Sequence, residues 1–302
     1  MVSDTLKSPA SDNLDLSYKF SILIPTWNNL EYLKLCIKSI RENSSYKHQF
    51  ILHINDGSDG TLDWVKAQPD IEYSHSDTNV GVCTGLNRCS LLSCTDYILY
   101  MNDDMYVCPG WDQVISDEIQ SIGHNDFFIS STCIESQTDS NCVIEKDYGR
   151  NIGSFNEANL LSGYDALSMN DWSGATWTPN IVHKSWWKAV GGYSEEFSPG
   201  MYSDPDFSMK LWVHGMRLFI GLGKSKVYHF GSTSVKRVIK NPGYRKFLSK
   251  WKMTSGTFIR YYLRRGFKFS GVLPEPVIPH WIKAKNYYKR FAYSVFNSNA
   301  IL

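Results

Sequence analysis

Apolar and polar residues along the first half of the chain follow a pattern that predicts alternating strands and helices. Three apolar runs rich in β-branched residues, at 20–25, 49–54 and 97–102, each stop at polar residues that favour turns. After the first run, apolar residues recur at the spacing of one helix face, at Leu30, Leu33, Ile37 and Ile40. Strands that alternate with helices in this way form βαβ units, so we expect an α/β fold with a mainly parallel sheet.

Acidic residues follow these runs where the strands are predicted to end. Asp56 follows the second run, Asp104 follows the third, and Asp204 lies in a later acidic segment, GMYSDPDFSMKLWVHG at 200–215. In an open α/β sheet, ligands bind outside the carboxyl ends of the strands. We therefore expect the three carboxylates to share a crevice that suits a metal ion and a phosphorylated ligand.

The composition is typical of a globular protein without a membrane-spanning helix. The 302 residues are 42% hydrophobic, and no apolar run reaches about 18 residues. Residues 1–18 lack the basic and then apolar order of a signal peptide and predict a disordered leader. The seven cysteines are scattered without Cys-x-x-Cys pairs, which favours free thiols and a cytoplasmic location.

The net charge of +1 conceals two oppositely charged parts of the chain. From Val235 onward there are 15 Lys and Arg and a single acid, Glu275, whereas the preceding residues carry 16 basic and 29 acidic residues. This asymmetry predicts an acidic, cation-binding body and a basic extension that meets an anionic partner.

Taken in order, seven short segments resemble those of family 2 glycosyltransferases of the GT-A fold. They are IPTWNN, INDGSDGT, NVGVCTGLN, YMNDDMYVCPGW, AVGGYSEEF, YSDPDFSMKLWVHG and VYHFGSTS. The resemblance covers roughly residues 19–234. It implies a Rossmann-like GT-A domain there, with a basic, aromatic-rich helical extension at 235–302.

This resemblance implies an enzyme that moves a sugar, with inversion, from a nucleoside diphosphate to an acceptor hydroxyl in surface glycan or polysaccharide assembly. The implied partners are a UDP- or dTDP-linked donor and a glycan or lipid-linked acceptor. The implied donor-binding residues are Pro25, Thr26, Asn28, Asp56, Asn79, Gly81, Asn87, Asn102 and Asp103. Asp56 would accept a hydrogen bond from the nucleobase, although an Asx turn would also explain an Asp-Gly pair.

The MNDDM turn and a late histidine form the implied metal site. Asn102 and Asp104 occupy the two acidic positions of the family's Asp-x-Asp motif, so an amide replaces the first carboxylate. Asp104 and His229 are the expected ligands of Mn²⁺ or Mg²⁺, and Asn102 can bind the donor ribose. A turn after one strand and a histidine at the end of another would explain the same residues without a metal.

Asp204 has two competing interpretations. The resemblance implies that it is the general base that deprotonates the acceptor. However, Asp204-Pro205 also has the pattern of a helix N-cap followed by proline at the first helical position. Ser203 or Asp206 could take the capping role instead.

The basic extension allows three interpretations. Between Lys236 and Lys268 there are 11 Lys and Arg and no acids, interleaved with aromatic residues. The segment could dock on an anionic membrane, leaving the protein peripheral on the inner face, or pack back on the catalytic domain with a solvated basic face. Nucleic acid is disfavoured because nothing else in the sequence supports it.

Three other functions compete with an inverting transferase. A retaining GT-A enzyme would use the same donor site. A sugar nucleotidyltransferase is disfavoured, because IPTWNN contains neither glycine nor a basic residue. A non-catalytic sugar-nucleotide-binding protein is suggested only by the amide at Asn102.

Overall fold

The computed structural model describes residues 5–7, 17–231 and 242–296. The strands are β1 (Thr5–Lys7), β2 (Ser21–Trp27), β3 (Gln49–Asn55), β4 (Ile71–Ser76), β5 (Tyr97–Tyr100), β6 (Met105–Val107), β7 (Phe128–Glu135), β8 (Val143–Glu145), β9 (Trp172–Ser173), β10 (Asn180–His183) and β11 (Phe219–His229). The helices are α1 (Leu30–Asn43), α2 (Thr61–Lys66), α3 (Gly81–Leu92), α4 (Trp111–Ile122), α5 (Glu157–Gly163), α6 (Lys184–Val190), α7 (Ser203–Val213), α8 (Gly243–Trp251), α9 (Ser255–Thr257) and α10 (His280–Phe296).

The strands of the described residues form one sheet in the order β1-β4-β3-β2-β5-β10-β7-β11-β6, with β8 beside β7 and β9 beside β11. Strands β4, β3, β2 and β5 are parallel to one another. The predicted α/β class with a Rossmann-like parallel sheet is confirmed for this half. The carboxyl ends of these four strands therefore meet at one edge.

The second half of the sheet mixes strand directions. Strand β10 is antiparallel to both β5 and β7, whereas β11 is parallel to β7 and antiparallel to β6. The chain passes from the end of β5 to β6 through residues 101–104, and β6 places Met105 opposite His229 of β11. This pairing brings the MNDDM turn next to a histidine that lies far away in sequence.

Both faces of the sheet are covered, which explains the nearly continuous apolar runs of its central strands. Along β2, Ile22 and Ile24 join the hydrophobic cluster that includes α1, while Leu23 between them joins the cluster that includes α3. Successive side chains of a strand point to opposite faces, so one apolar run serves two cores. The seven cysteines are free, as predicted, and six of them are buried.

The extension is helical, as the resemblance implied, and packs on the α/β domain. Phe247 of α8, together with Phe258, Leu263 and Leu273, is almost fully buried in the cluster shared with α3, α6 and α7, and Leu248 of α8 is buried as well. Burying one such side chain stabilises the fold by about 1.5–3 kcal/mol. The apolar side chains of α8 and of the segment that follows it are thus buried against the domain.

Most of the predicted leader and the predicted boundary at 234–235 fall outside the described residues. Of the segment predicted to be a disordered leader, Thr5–Lys7 pairs as β1 with the edge strand β4. This differs from the prediction, because an open sheet edge offers backbone groups that even a polar segment can pair with. Residues 1–4 and 8–16, and the predicted boundary at 234–235, lie outside the described residues.

Candidate active site

A cavity of about 590 Å³ lies at the carboxyl ends of β2, β3 and β5. Its volume is within the usual range for small-molecule sites. Eight residues named from the sequence line it: Pro25, Thr26, Asn79, Asn102, Asp103, Asp104, Asp204 and His229. Two of the three acidic segments reach this crevice at strand ends, and the third, which contains Asp204, reaches it through α7.

Asn28 and Asp56 form a hydrogen-bonded pair just outside the cavity lining. Both have positive φ, and the Asn28 amide donates to the Asp56 carboxylate over 2.8 Å. The backbone N–H of Gly57 donates in turn to Asn28 Oδ1 over 2.8 Å. Hydrogen bonds from Asn28 and Ser58 lower the pKa of Asp56. The carboxylate is therefore an ionised acceptor next to Asn55, which does line the cavity.

Gly81 and Asn87 lie outside the cavity lining and instead hold a loop beside it. A Cβ at Gly81 would lie 2.7 Å from the Cα of Pro199, so only glycine allows this approach, at φ 85°. The Asn87 side chain donates to the Tyr193 carbonyl and accepts from the Tyr193 N–H, each over 2.8 Å. Both residues position segment 193–200. Asn87, which was predicted to bind the donor, does not reach the cavity.

The acidic turn after β5 is fixed by its neighbours. Asp103 is buried and accepts a 2.6 Å hydrogen bond from the Thr26 hydroxyl, which joins the ends of β2 and β5. Asp104 is also buried, and its Oδ1 lies 3.5 Å from His229 Nε2. His229 Nδ1 contacts Glu135 at 2.7 Å. Burial alone would lower the pKa of His229, but Asp104 and Glu135 outweigh it and raise the pKa to about 10.

Asp104 and His229 are suitable as two ligands of a divalent ion. His229 Nε2 is buried and, within the part of the chain described, has no hydrogen-bond partner, because 3.5 Å to Asp104 is too long for a good one. The described residues contain no group of three or more His, Cys, Asp or Glu side chains that could hold a metal. Any further ligands would therefore have to be substrate oxygens or water, which is usual for Mg²⁺.

Asp204 is the second residue of α7 and does not cap it. Tyr202, at φ 70°, occupies the N-cap position and makes no capping hydrogen bond through its side chain. Among the described residues, Asp204 accepts one hydrogen bond, from the Tyr193 hydroxyl over 3.2 Å. Burial raises the pKa of Asp204 to about 7, against the lowering effect of that hydrogen bond. A carboxyl group poised near neutral pH is suited to general acid–base catalysis.

Asp206, the other carboxylate of this segment, anchors the extension. It is fully buried and accepts hydrogen bonds from Ser194 Oγ over 2.6 Å and from Trp251 Nε1 over 2.7 Å. Lys250 Nζ lies 2.9 Å from its Oδ1. These contacts tie α8 to the start of α7, so Asp206 supports the fold around Asp204.

A second cavity of about 780 Å³ adjoins the first. The two share six lining residues: Asn102, Trp177, Asp204, His229, Ile259 and Arg265. Several lining residues were not predicted from the sequence, namely Trp27, Asn55, Tyr100, Trp177, Tyr202 and Arg265. Asn55 directly precedes Asp56 in the turn and could have been found there, whereas no motif marks Trp177 or Arg265.

Comparison with known proteins agrees with this geometry. Residues 21–159 match the model of Glycosyl transferase family 2. This match confirms the resemblance: these residues form a family 2 glycosyltransferase domain, and the protein is a glycosyltransferase with the GT-A fold. The matched range ends before Asp204 and His229, and no curated protein matches the chain in sequence.

Solved structures similar to the chain include the glycosyltransferase TarS of S. aureus. TarS 1–349 is 12% identical with a TM-score of 0.55, and the match covers 93% of this chain and 73% of that one. TarS 1–349 in complex with UDP is 10% identical with a TM-score of 0.54, covering 94% and 73%. A longer TarS structure is 12% identical with a TM-score of 0.55, covering 91% and 43%. At these identities the similarity shows a shared fold.

Proposed function

We propose that the protein is a metal-dependent, inverting glycosyltransferase that moves a sugar from a nucleoside diphosphate to an acceptor hydroxyl. The observation that carries this proposal is the arrangement of Asp104, His229 and Asp204 around one cavity at the strand ends. It offers cation ligands at one point and a carboxyl group with a pKa near 7 at another.

The donor is a UDP- or dTDP-linked sugar in this proposal. A TarS structure with a similar fold is a complex with UDP, and in this chain Pro25, Thr26 and Asn79 line the cavity at the strand ends. Asp56 lies at its rim with an ionised carboxylate, which can accept a hydrogen bond from a nucleobase N–H. Asn102 and Asp103 line the cavity next to the expected ribose and diphosphate.

Asp104 and His229 would hold Mn²⁺ or Mg²⁺. When bound, such an ion neutralises negative charge on the diphosphate as it leaves. The chain's own contribution is a buried carboxylate and a buried imidazole, with Glu135 fixing the ring orientation of His229 from its other nitrogen.

Asp204 acts on the acceptor. Its carboxylate takes the proton of the acceptor hydroxyl while the acceptor oxygen bonds to the anomeric carbon. The bond from that carbon to the diphosphate oxygen breaks, and its electron pair leaves with the nucleoside diphosphate. A single displacement of this kind inverts the anomeric centre, and it needs one base.

The acceptor in this proposal is a glycan or lipid-linked sugar of surface polysaccharide assembly, met by a cytoplasmic enzyme on an anionic membrane. No helix among the described residues is long and apolar enough to cross a membrane. Support for surface contact comes from α10, whose exposed side includes Trp281, Tyr287, Tyr288 and Phe291. Basic residues flank this aromatic side, a composition typical of interfacial helices.

In the basic segment 236–268, for which membrane contact was one of three interpretations, several basic residues after 242 make internal contacts. Lys246 donates to the Glu196 carbonyl, Lys250 pairs with Asp206 and Glu196, and Arg245 donates to the Tyr293 hydroxyl. Residues 236–241 lie outside the described part. Because these basic residues are engaged inside the protein, α10 carries most of the proposed membrane contact, with the basic segment 236–268 beside it.

The experiment that tests the function is transfer from a panel of labelled UDP- and dTDP-sugars, with and without Mn²⁺. Metal-dependent release of nucleoside diphosphate is expected with one donor, together with metal-dependent thermal stabilisation by that donor. Anomeric analysis of the product separates inversion from retention. Binding without any transfer or hydrolysis would instead favour a non-catalytic sugar-nucleotide-binding protein.

A further inference from the structure

Arg265 brings a cationic side chain from the extension to the junction of the two cavities. It lines both of them, together with Asp204 and His229. It lies far outside residues 21–159, the range that matches the family model. It belongs to the extension and not to the segment that matches the family model.

The guanidinium of Arg265 is stacked and partly buried, and it makes no ion pair with the residues that the structure describes. Its central carbon lies 3.7 Å from the centroid of the Trp177 ring. Nη1 is buried and has no hydrogen-bond partner, and no carboxylate of the residues described in this structure lies within 4.0 Å of its nitrogens. Burial without a partner also lowers the pKa of this group. A buried donor left without an acceptor is costly, so this arrangement is suited to a ligand that supplies one.

The backbone around Arg265 is held in place without a ligand. Ser173 of β9 donates to the Phe267 carbonyl over 2.8 Å and accepts from the Gly266 N–H over 3.0 Å. A Cβ at Gly174 would lie 2.7 Å from the Cα of Arg265, so glycine allows this close contact. Together with the Trp177 stack, these contacts preorganise the guanidinium, which lowers the entropy cost of binding.

The positive charge of Arg265 favours an anionic ligand. Asp103, Asp104 and Asp204 line the first cavity, but among the described contacts none of these carboxylates pairs with Arg265. A guanidinium offers several N–H donors in a planar fork that matches phosphate oxygens. A neutral sugar hydroxyl would leave its charge uncompensated.

We propose that Arg265 binds a phosphate oxygen of the nucleoside diphosphate part of the donor. This inference rests on the proposed nucleotide-sugar function and adds a residue from the extension to the donor site. It also gives the packing of the extension on the domain a functional purpose, because Ser173 of β9 and the Trp177 ring hold the segment around the arginine in place.

The test compares Arg265→Gln with Arg264→Gln by calorimetry. Arg264 is adjacent, exposed and absent from both cavities, so the two variants lose the same charge at neighbouring positions. UDP and dTDP are titrated with Mn²⁺, and uridine and thymidine serve as ligands without phosphate. We expect Arg265→Gln to weaken binding of the diphosphate by roughly 10- to 100-fold, the range for hydrogen bonds to a charged group. Nucleoside binding should be unchanged, and Arg264→Gln should bind both like the wild type.

Arg265→Lys keeps the charge without the planar fork and should fall between the wild type and Arg265→Gln. Melting temperatures of all three variants check that the loop is intact. Equal affinity of wild type and a folded Arg265→Gln for UDP and dTDP would overturn the inference while leaving the proposed function in place. Unchanged nucleotide affinity of Arg265→Gln together with a raised KM for the acceptor would assign the arginine to an anionic acceptor. If the wild type bound neither nucleotide, the proposed donor would fall, and this inference with it.

Discussion

The two sides of the active-site crevice are built in different ways. On the side proposed to bind the donor, here called the donor side, Pro25 and Thr26 lie near the end of β2, and Asn102 and Asp103 lie in the turn after β5. Each position is therefore set by its own strand. The opposite side, here called the base side after the proposed general base, is formed by Asp204 of α7, His229 at the end of β11 and Arg265 in a loop of the extension. These three meet only because distant elements pack together.

This difference determines how each side is stabilised. Short polar bridges between neighbouring strand ends hold the donor side, such as the 2.6 Å bond from Thr26 to Asp103. The base side depends on the extension, since Asp206 is bonded by Trp251 and lies beside Lys250. A substitution in the extension should therefore disturb the position of Asp204 before it disturbs the donor side.

The largest effect is expected where the two sides meet, at Asp104 and His229. Asp104→Ala should abolish metal-stimulated transfer, because it removes the buried carboxylate that would bind the cation. His229→Ala should reduce transfer less, because an imidazole, which must first lose its proton, contributes less than a carboxylate to binding a hard ion. The measurement is the initial rate against Mn²⁺ concentration, with the exposed His214→Ala as the control. Full activity of Asp104→Ala in a chelator would contradict the assignment of the metal.

The next effect isolates the base side. Asp204→Asn should lower turnover by roughly 10²-fold or more, as for loss of a general base, while donor and metal binding persist. Asparagine keeps the shape of the side chain but cannot take the proton. Single-turnover rates and calorimetry of the nucleotide separate the two properties. Transfer at close to the wild-type rate would assign the base elsewhere.

The pH dependence sharpens the same test. Because burial raises the pKa of Asp204 to about 7, wild-type transfer should rise with pH through about 7 and then level off, and Asp204→Asn should lose this rise. A pKa raised by folding contributes stability that is present below the unfolded value and lost as pH rises through about 7. As pH rises from about 5 to about 8, the wild type should therefore lose stability that Asp204→Asn keeps. The melting temperature of the variant should rise relative to that of the wild type over this range. Parallel melting curves across this range would contradict the raised pKa.

A smaller effect is expected on the donor side, at Asp56. Asp56→Ala should weaken nucleoside diphosphate binding by about 1.5–3 kcal/mol, the range for a hydrogen bond to a charged group. Asp59→Ala is the matched control in the same turn, because Asp59 accepts from the N–H groups of Leu30 and Thr61 at the starts of α1 and α2. It should cost about 0.5–2 kcal/mol of stability without changing nucleotide affinity. Unchanged affinity of Asp56→Ala would leave that residue a turn former.

The smallest effects concern α10, which lies on neither side of the crevice. Binding to anionic vesicles should fall steeply with salt, with each engaged basic residue contributing about 1 kcal/mol at low ionic strength. Replacing Trp281, Tyr288 and Phe291 together by alanine should reduce binding, whereas Val277→Ala, an exposed apolar residue outside the helix, should not. Sedimentation with neutral and anionic vesicles measures this, and equal partitioning onto both would favour a helix that merely covers the domain.

Much of the donor side could be predicted from local pattern. The apolar runs and turn residues located β2, β3 and β5, and the carboxyl ends of parallel strands share an edge by geometry alone. The exceptions, Gly81 and Asn87, have loop-holding contacts that depend on Pro199 and Tyr193 more than 100 residues away. Local pattern carries no information about such partners.

For this protein, the sequence by itself determined the α/β fold, the order of the motifs and the residues of the acidic strand ends. These follow from periodicity and turn chemistry, which act over a few residues. The tertiary structure decided that Asp204 lies inside α7 without capping it, that Asp206 anchors the extension, and that Arg265 reaches the crevice. Those outcomes depend on burial and on contacts between distant segments, and a carboxylate or a guanidinium acquires its chemistry from what is packed around it.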